Sequence, residues 1–439
     1  MNEKMSFSQL LALSLMLFAL FFGAGNMIFP PAMGQLAGTN VLPALAGFIF
    51  TDVGLPLLAI AAVAFANRSL DTMAGRAGKK FGRFFIILVY LLIGPLFAIP
   101  RTGSVSFEMV VTPFLGTDTN PLIFSVIFTG IFFALVYFLS ANPTKIVAIV
   151  GKILTPVLLI AIFIIGFTAV LNPIGPLGEP VGDYNTIAFF KGMVEGYAAM
   201  DALAAGIFAL IVIQNVEAMG IKQEKNIIKY TMLAGLFAAI GLAVVYGILA
   251  YVGATAGPLG EFSNGGQLLS AVSRHMFGTA GMLILGIAVL FACLTTAIGL
   301  TTACGEYFSE HFVKLEYNQV IIAVVLFSFV VSNIGLTQLL SITVPGLLMV
   351  YPILMALVIS GFFNKWFKGR QPIYAGILIG AALISIPNGL EALCATYGID
   401  VTAMSNILQM VPLYNLSLGW VVPAIIGGVI GYIVSVVKK

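Results

Sequence analysis

The sequence predicts an all-α integral membrane protein of twelve transmembrane helices, a 5+5 inverted repeat plus two, with spans one and six discontinuous at the midplane. Three observations predict it. Of the 439 residues, 60% are hydrophobic and only 8% charged, against roughly 25% charged in an ordinary soluble domain. The apolar residues fall in about twelve blocks of about 20 or more, enough to cross a hydrocarbon core of about 30 Å as helix. The strands of a membrane barrel would be roughly 10 residues long and alternating. Finally, the first and sixth blocks carry breaking or charged residues at their centres.

The first run covers about residues 10–36, and FFGAGNMIFPP (21–31) sits in its middle. A secretory signal is excluded, because its apolar region would be about 7–15 residues and precede a soluble chain. Unsatisfied backbone in lipid costs several kcal/mol per group, so irregular backbone there needs partners from protein, ligand or water. Gly23, Gly25, Asn26, Pro30 and Pro31 together exceed what a kink requires. An unwound segment is expected, and the alternative is a kinked helix packed by its glycines.

Spans two to five centre near 53, 97, 130 and 158 and complete a first unit, residues 8–171. Asp52, in IFTDVGLP, is central to span two and serves either ion coupling or buried hydrogen-bonded packing. Arg101 and Glu108 lie seven apart on span three, hence on nearly one helix face, as an extracellular-side gate or, preferably, a static polar network. The longest gaps, 172–186 and 257–278, lie outside. The second holds an amphipathic piece at 268–276, either lying on or dipping into the outer face or forming an ordinary loop helix.

The sixth run centres on EGYAAMDALAAG (195–206), with Asp201 near the middle. An acid at the midplane costs at least about 2.5 kcal/mol, so it marks a functional site by default. The alternative is a structural carboxylate bonded to backbone freed by Gly196 or Gly206. Run six lies five spans after run one, an odd number, so the two cross in opposite directions. Interrupted helices at corresponding places in two oppositely oriented halves indicate an inverted repeat around a midplane site. The second unit is then residues 185–363, with spans seven to ten near 244, 292, 325 and 349. Two further spans, near 380 and 427, occupy residues 371–437.

The eighth run, LFACLTTAIGLTTACG (290–305), places Thr295 and Thr296 just past its middle, followed by Thr301 and Thr302. Hydroxyl oxygens suit hard cations and join freed carbonyls around Na⁺ in broken-helix transporters; buried threonines also often bond only their own helix. Glu217 and Glu306, near cytoplasmic helix ends, read as solvated. Cys293, Cys304 and Cys394 fit neither a disulfide framework nor a metal motif and read as packing residues.

With the N-terminus inside, roughly 17 of the basic residues fall on one side, the positive-inside bias of a correctly oriented chain. They include Arg68, Arg76, Lys79, Lys80, Arg83, Lys145, Lys222, Lys225, Lys229, Lys314, Lys365, Lys368, Arg370, Lys438 and Lys439. The opposite gaps hold Lys191 and Arg274 with Asp118, Asp183, Glu261 and Asp400. Both termini are therefore expected in the cytoplasm.

FFGAGNMIFPP, GPLFAIPRTGSVSFE (94–108), EGYAAMDALAAG and LTTAIGLTTACGEYF (294–308) resemble the branched-chain amino acid:cation symporters of bacteria, over essentially the whole chain. The G-x-G-N of the first break is also similar to that element in the wider neurotransmitter:sodium symporter group, which has the 5+5 inverted-repeat fold. The resemblance implies sodium-coupled uptake of leucine, isoleucine and valine across the cytoplasmic membrane. Laid on that element, Gly23, Ala24, Gly25 and Asn26 would receive the substrate carboxylate on backbone N–H groups. Carbonyls of Ala19 and Phe22, with Ala292, Thr295 and Thr296 opposite, would cage one sodium, a coupling ion and not a permanent cofactor. Glu195 and Asp201 depart from the wider group's pattern, so the amine and second-ion roles do not carry over cleanly.

Physically, a half-helix N-terminus offers free N–H groups and roughly half a positive charge to a carboxylate. Carbonyls ending the other half-helix, with Asp201, would receive the ammonium. Phe21, Phe22, Met27, Met200 and the body of Tyr197 would line an apolar side-chain pocket. The expected partners are a small amino acid and membrane lipid, with no nucleic acid; oligomeric state is open. A membrane enzyme is disfavoured, since His275 and His311 fall at opposite faces, and so is a channel, since paired broken helices suit an occluding site. Proton coupling through Asp52, Glu195 or Asp201 is the alternative within transport.

Overall fold

The computed structural model describes residues 4–65, 70–116, 119–141, 156, 159–312 and 314–437, and no strand occurs among them. Arg68, Asp118, Lys145, Lys438, Lys439 and much of the fifth predicted span lie outside the described residues. The first apolar run forms two helices, α1 (Phe7–Phe21) and α2 (Ala24–Ala37). Helix α1 opens on a reciprocal cap between Ser6 and Gln9. It ends where Phe22 leaves helical geometry at ψ 87° and Gly23 becomes extended. The second run is α3 (Val41–Ile49) and α4 (Leu55–Phe65), joined by a π-helical turn, Phe50–Gly54, that carries Asp52. Such a turn inserts one extra residue and often marks a functional place in a helix.

After α5 (Leu70–Gly75) and α6 (Lys79–Leu91), a second π turn (Leu92–Leu96) with non-helical Gly94 leads into α7 (Ala98–Val110). Helices α8 (Pro121–Ser140) and α9 (Leu159–Leu171) follow. The sixth run divides into α10 (Ala188–Ala199) and α11 (Asp201–Ala218) at Met200, which is left-handed at φ 77°. Then come α12 (Glu224–Ala254) and α13 (Gly265–His311), the latter broken at Gly278. The chain ends with α14 (Tyr317–Ser332), α15 (Leu336–Phe362), α16 (Asn364–Phe367), α17 (Gln371–Thr396), α18 (Thr402–Gln409) and α19 (Val421–Val437). The amphipathic piece at 268–276 belongs to α13 before Gly278, and it is packed inward, with Leu268, Leu269 and Val272 fully buried.

Among the described residues, eight helical stretches are long and apolar enough to cross a membrane, two of them the continuous runs Ala24–Phe65 and Lys79–Phe114, against the twelve spans expected. The difference has physical causes. Phe7–Phe21, Leu159–Leu171, Tyr317–Ser332 and Val421–Val437 are apolar but shorter than 18 residues. The first is cut by the interruption at Phe22. The outer faces of α8, α9 and α19 expose Ile131, Phe167 and Ile433, each more than half accessible. Apolar surface of that extent belongs in lipid. The chain is a multi-pass membrane protein.

Close backbone approach fixes the helices that flank the two interruptions. A methyl group added at Gly47 of α3 would lie 1.8 Å from the Phe189 carbonyl oxygen of α10, and one at Gly192 of α10 would lie 1.9 Å from that of Ala44. Helix α2 meets α12 in the same way through Gly34 and Gly253. In a bilayer, where burying apolar side chains against each other gains little over lipid, such small-residue contacts supply the van der Waals packing that holds helices together.

Candidate substrate and cation site

The two interruptions meet across one cavity. At the first, α2 begins with amides that have no intrahelical acceptor, and Asn26 satisfies one donor by accepting from Gly23 N–H at 3.2 Å. At the second, the carbonyls of Ala198 and Ala199 that end α10 accept from the Arg101 guanidinium, the latter at 3.0 Å. Asn26 ties the two together by donating its amide to Asp201 Oδ2 at 2.7 Å. The same amide contacts the Tyr246 hydroxyl and lies 3.5 Å from Asp52 Oδ2. Tyr246 in turn donates to Asp201 Oδ2 at 3.3 Å. All four side chains are buried, and Asp52 Oδ1 has no hydrogen-bond partner.

Gly23, Ala24, Gly25, Asn26, Arg101, Asp201 and Thr296 line the cavity together with Phe21, Met200, Phe208 and Leu300. Its volume for a water-sized sphere is about 30 Å³, room for about two waters. The expected carboxylate residues and Asp201 are thus brought together with an apolar wall. Tyr197 is placed differently. It stacks on Tyr351, ring centroids 4.6 Å apart, directs its hydroxyl to Met355 and lines a separate cavity with Asn388, Tyr414 and Trp420. Phe22 and Met27 are fully buried but do not line the first cavity.

The residues expected around sodium divide likewise. Thr295 donates to the Ala292 carbonyl at 2.8 Å within its own helix. Thr296 Oγ1 is buried without a partner and adjoins the first interruption, so that a methyl at Gly23 would come within 2.8 Å of it. Ala19 and Phe22 precede that point, and Phe22 stacks on Phe18. Glu195 pairs with Lys191 at 3.3 Å, away from the cavity. Arg101 and Glu108 part company: Glu108 accepts from Gln267 at 2.7 Å, whereas Arg101 reaches α10.

Three features escape sequence reasoning. The second interruption falls at Met200, not at a glycine. Arg101 caps carbonyls 97 and 98 positions away in sequence. Tyr246 joins the acid cluster from span seven; the signal for it was a hydroxyl in the middle of an apolar run, which needs a partner when buried.

The model of a family described as branched-chain amino acid transport protein matches residues 6–438. A branched-chain amino acid permease of Bacillus subtilis (strain 168), BrnQ, is 45% identical over all of this chain and 99% of its own. A second from that organism, BraB, is 44% identical over 99% of this chain and 97% of its own. Among solved structures, Mhp1, described as a nucleobase-cation-symport-1 family transporter in a closed conformation with bromovinylhydantoin bound, superposes with a TM-score of 0.59 at 17% identity, covering 93% of this chain and 95% of that one. At that identity the likeness establishes the fold alone.

Proposed function

The chain belongs to the branched-chain amino acid transport protein family, and from that membership we propose that it is a secondary active transporter importing leucine, isoleucine and valine across the cytoplasmic membrane by sodium symport with alternating access. It is a transporter, not an enzyme. The observation that carries the mechanism is the meeting of α2's free amides and α10's terminal carbonyls on one cavity, bridged from Asn26 to Asp201. The substrate carboxylate goes to the N–H groups of Ala24 to Asn26, where the helix dipole favours an anion. Its ammonium goes to the α10 carbonyls and Asp201, and its side chain to Phe21 and Met200. Sodium is held by Thr296, with carbonyls of Ala19, Phe22 and Ala292 and with Thr295; the unbonded Thr296 hydroxyl supports this most strongly. A cavity with room for about two waters must part its walls to load leucine, as alternating access requires.

The packing supports twelve crossings and an inverted repeat over residues 8–171 and 185–363, with residues 371–437 appended. Helices α1 and α2 lie along α12, and α10 and α11 lie along α3 and α4. Each interrupted run therefore rests on the uninterrupted run that follows the other, as two inverted copies would. The basic residues of the even-numbered gaps support cytoplasmic termini.

A second reading, proton coupling, is favoured by one observation: Asp52 and Asp201 converge on a single amide. Two carboxylates so placed favour sharing one positive charge, and a proton could supply it. Uptake of labelled leucine into proteoliposomes, with Na⁺ and pH gradients imposed separately, decides between them. An inward Na⁺ gradient at equal pH is expected to drive accumulation; accumulation under a pH gradient alone, without Na⁺, would overturn sodium symport.

A further inference from the structure

The Arg101 guanidinium occupies an unusual electrostatic position. It is 3% exposed, and among the described residues no carboxylate lies within salt-bridge distance of it. Its partners are the two α10 carbonyls, and it lies 5.4 Å from the Phe29 ring centroid, while Nε has no partner at all. On its other side stands the start of α2, so close that a methyl at Gly25 would be 2.6 Å from Nη2. A cation therefore sits beside the positive pole of a helix at the wall of the cavity. Asp201 lines the same cavity but makes no salt bridge to the guanidinium, so the cation and the helix pole adjoin with no anion in direct contact with both, and the guanidinium lacks the bidentate carboxylate that suits it best.

We propose that Arg101 is the second half of the substrate carboxylate receptor and that it exchanges partners when substrate binds. The inference rests on the transport reading above and deepens it. The incoming carboxylate accepts from the guanidinium and the α2 amides together. Drawn toward the carboxylate, Arg101 releases the Ala198 and Ala199 carbonyls, and the substrate ammonium takes them. Without substrate, Arg101 stands in for that ammonium and keeps the carbonyls satisfied. The exchange requires both charged ends on one molecule, so it selects α-amino acids over amines and over carboxylic acids, whatever the aliphatic side chain.

Competition against labelled leucine on purified protein tests this, with L-leucine and L-leucinamide as probes, since the amide removes only the negative charge. Wild type is expected to prefer leucine by at least a hundredfold. Arg101→Gln should narrow that preference to under tenfold, chiefly by weakening leucine. If both probes weaken equally and the preference survives, Arg101 is structural and the proposal is overturned. Should Arg101→Gln fail to yield a monodisperse protein, Arg101→Lys takes its place. Lysine keeps the charge but lacks the planar fork, so the preference should fall to an intermediate value, and an unchanged preference overturns the proposal. Failure of wild type to bind leucine at all would instead remove the transport reading.

Discussion

The two interruptions do the same job with different chemistry. At the first, local sequence suffices: Gly23 is extended, Asn26 accepts from the Gly23 amide three residues away, and glycines leave space for Thr296 and Arg101. At the second, a methionine is held left-handed and the exposed carbonyls are capped by Arg101 from another helix. The first break is intrinsic to its segment, while the second is imposed by tertiary contacts. A left-handed non-glycine residue costs roughly 1–2 kcal/mol, and it persists only where the surroundings over-determine it.

Adding bulk at the intrinsic break should have the largest effect. A methyl at Gly25 would sit 3.1 Å from both Cα and the carbonyl oxygen of Ala199, besides its collision with the guanidinium. Without a substrate ammonium to replace it, Arg101 cannot swing aside without leaving the α10 carbonyls unsatisfied, so Gly25→Ala links failure at the first break to failure at the second. Overpacking of this kind costs about 1–3 kcal/mol; because it falls on the substrate-binding arrangement of the two breaks, leucine uptake by proteoliposomes should drop roughly five- to more than a hundredfold. Near-normal uptake would mean that the two breaks are not in working contact.

The eighth run offers a smaller and more selective test. Thr296→Ala removes an unbonded hydroxyl facing the first break, whereas Thr295→Ala removes one already bonded to its own helix. The Na⁺ concentration for half-maximal leucine uptake should rise about tenfold in Thr296→Ala, one lost hard ligand amounting to roughly 1.4 kcal/mol. The change in Thr295→Ala should be smaller. Equal Na⁺ dependence in wild type and both variants would remove the cation assignment.

The same contrast explains what could be read in advance. Glycines, an asparagine and a proline pair in an apolar run carry their own physical meaning, so residues 23–26 could be located from sequence. Asp201 was legible because a charge in lipid needs a reason. Met200 was not: methionine is itself a good helix former, and glycines at 196 and 206 drew attention instead. Gly196 proves to be a contact glycine, where a methyl would lie 2.1 Å from Thr51 Oγ1. Arg101 was visible as a buried charge, but its partners depend on how span three packs on span six. Helical periodicity suggested Glu108 as a neighbour on its own face, and tertiary contacts assign Glu108 to Gln267.

The smallest expected effect concerns the imposed break itself. Met200 is 3% exposed, so shortening its side chain loses packing in either Met200→Ala or Met200→Gly. In an ordinary helix the alanine variant would be the more stable, by about 1 kcal/mol. Here φ is 77°, which glycine adopts at no steric cost and alanine does not. The order should therefore reverse, with Met200→Gly outlasting Met200→Ala by about 1 kcal/mol, a difference on the order of 2 °C in thermal unfolding. Purified variants compared without substrate would show it. If alanine is the more stable, residue 200 is helical in the working protein, the sixth run is continuous, and the carbonyls that Arg101 caps are no longer free to receive a substrate.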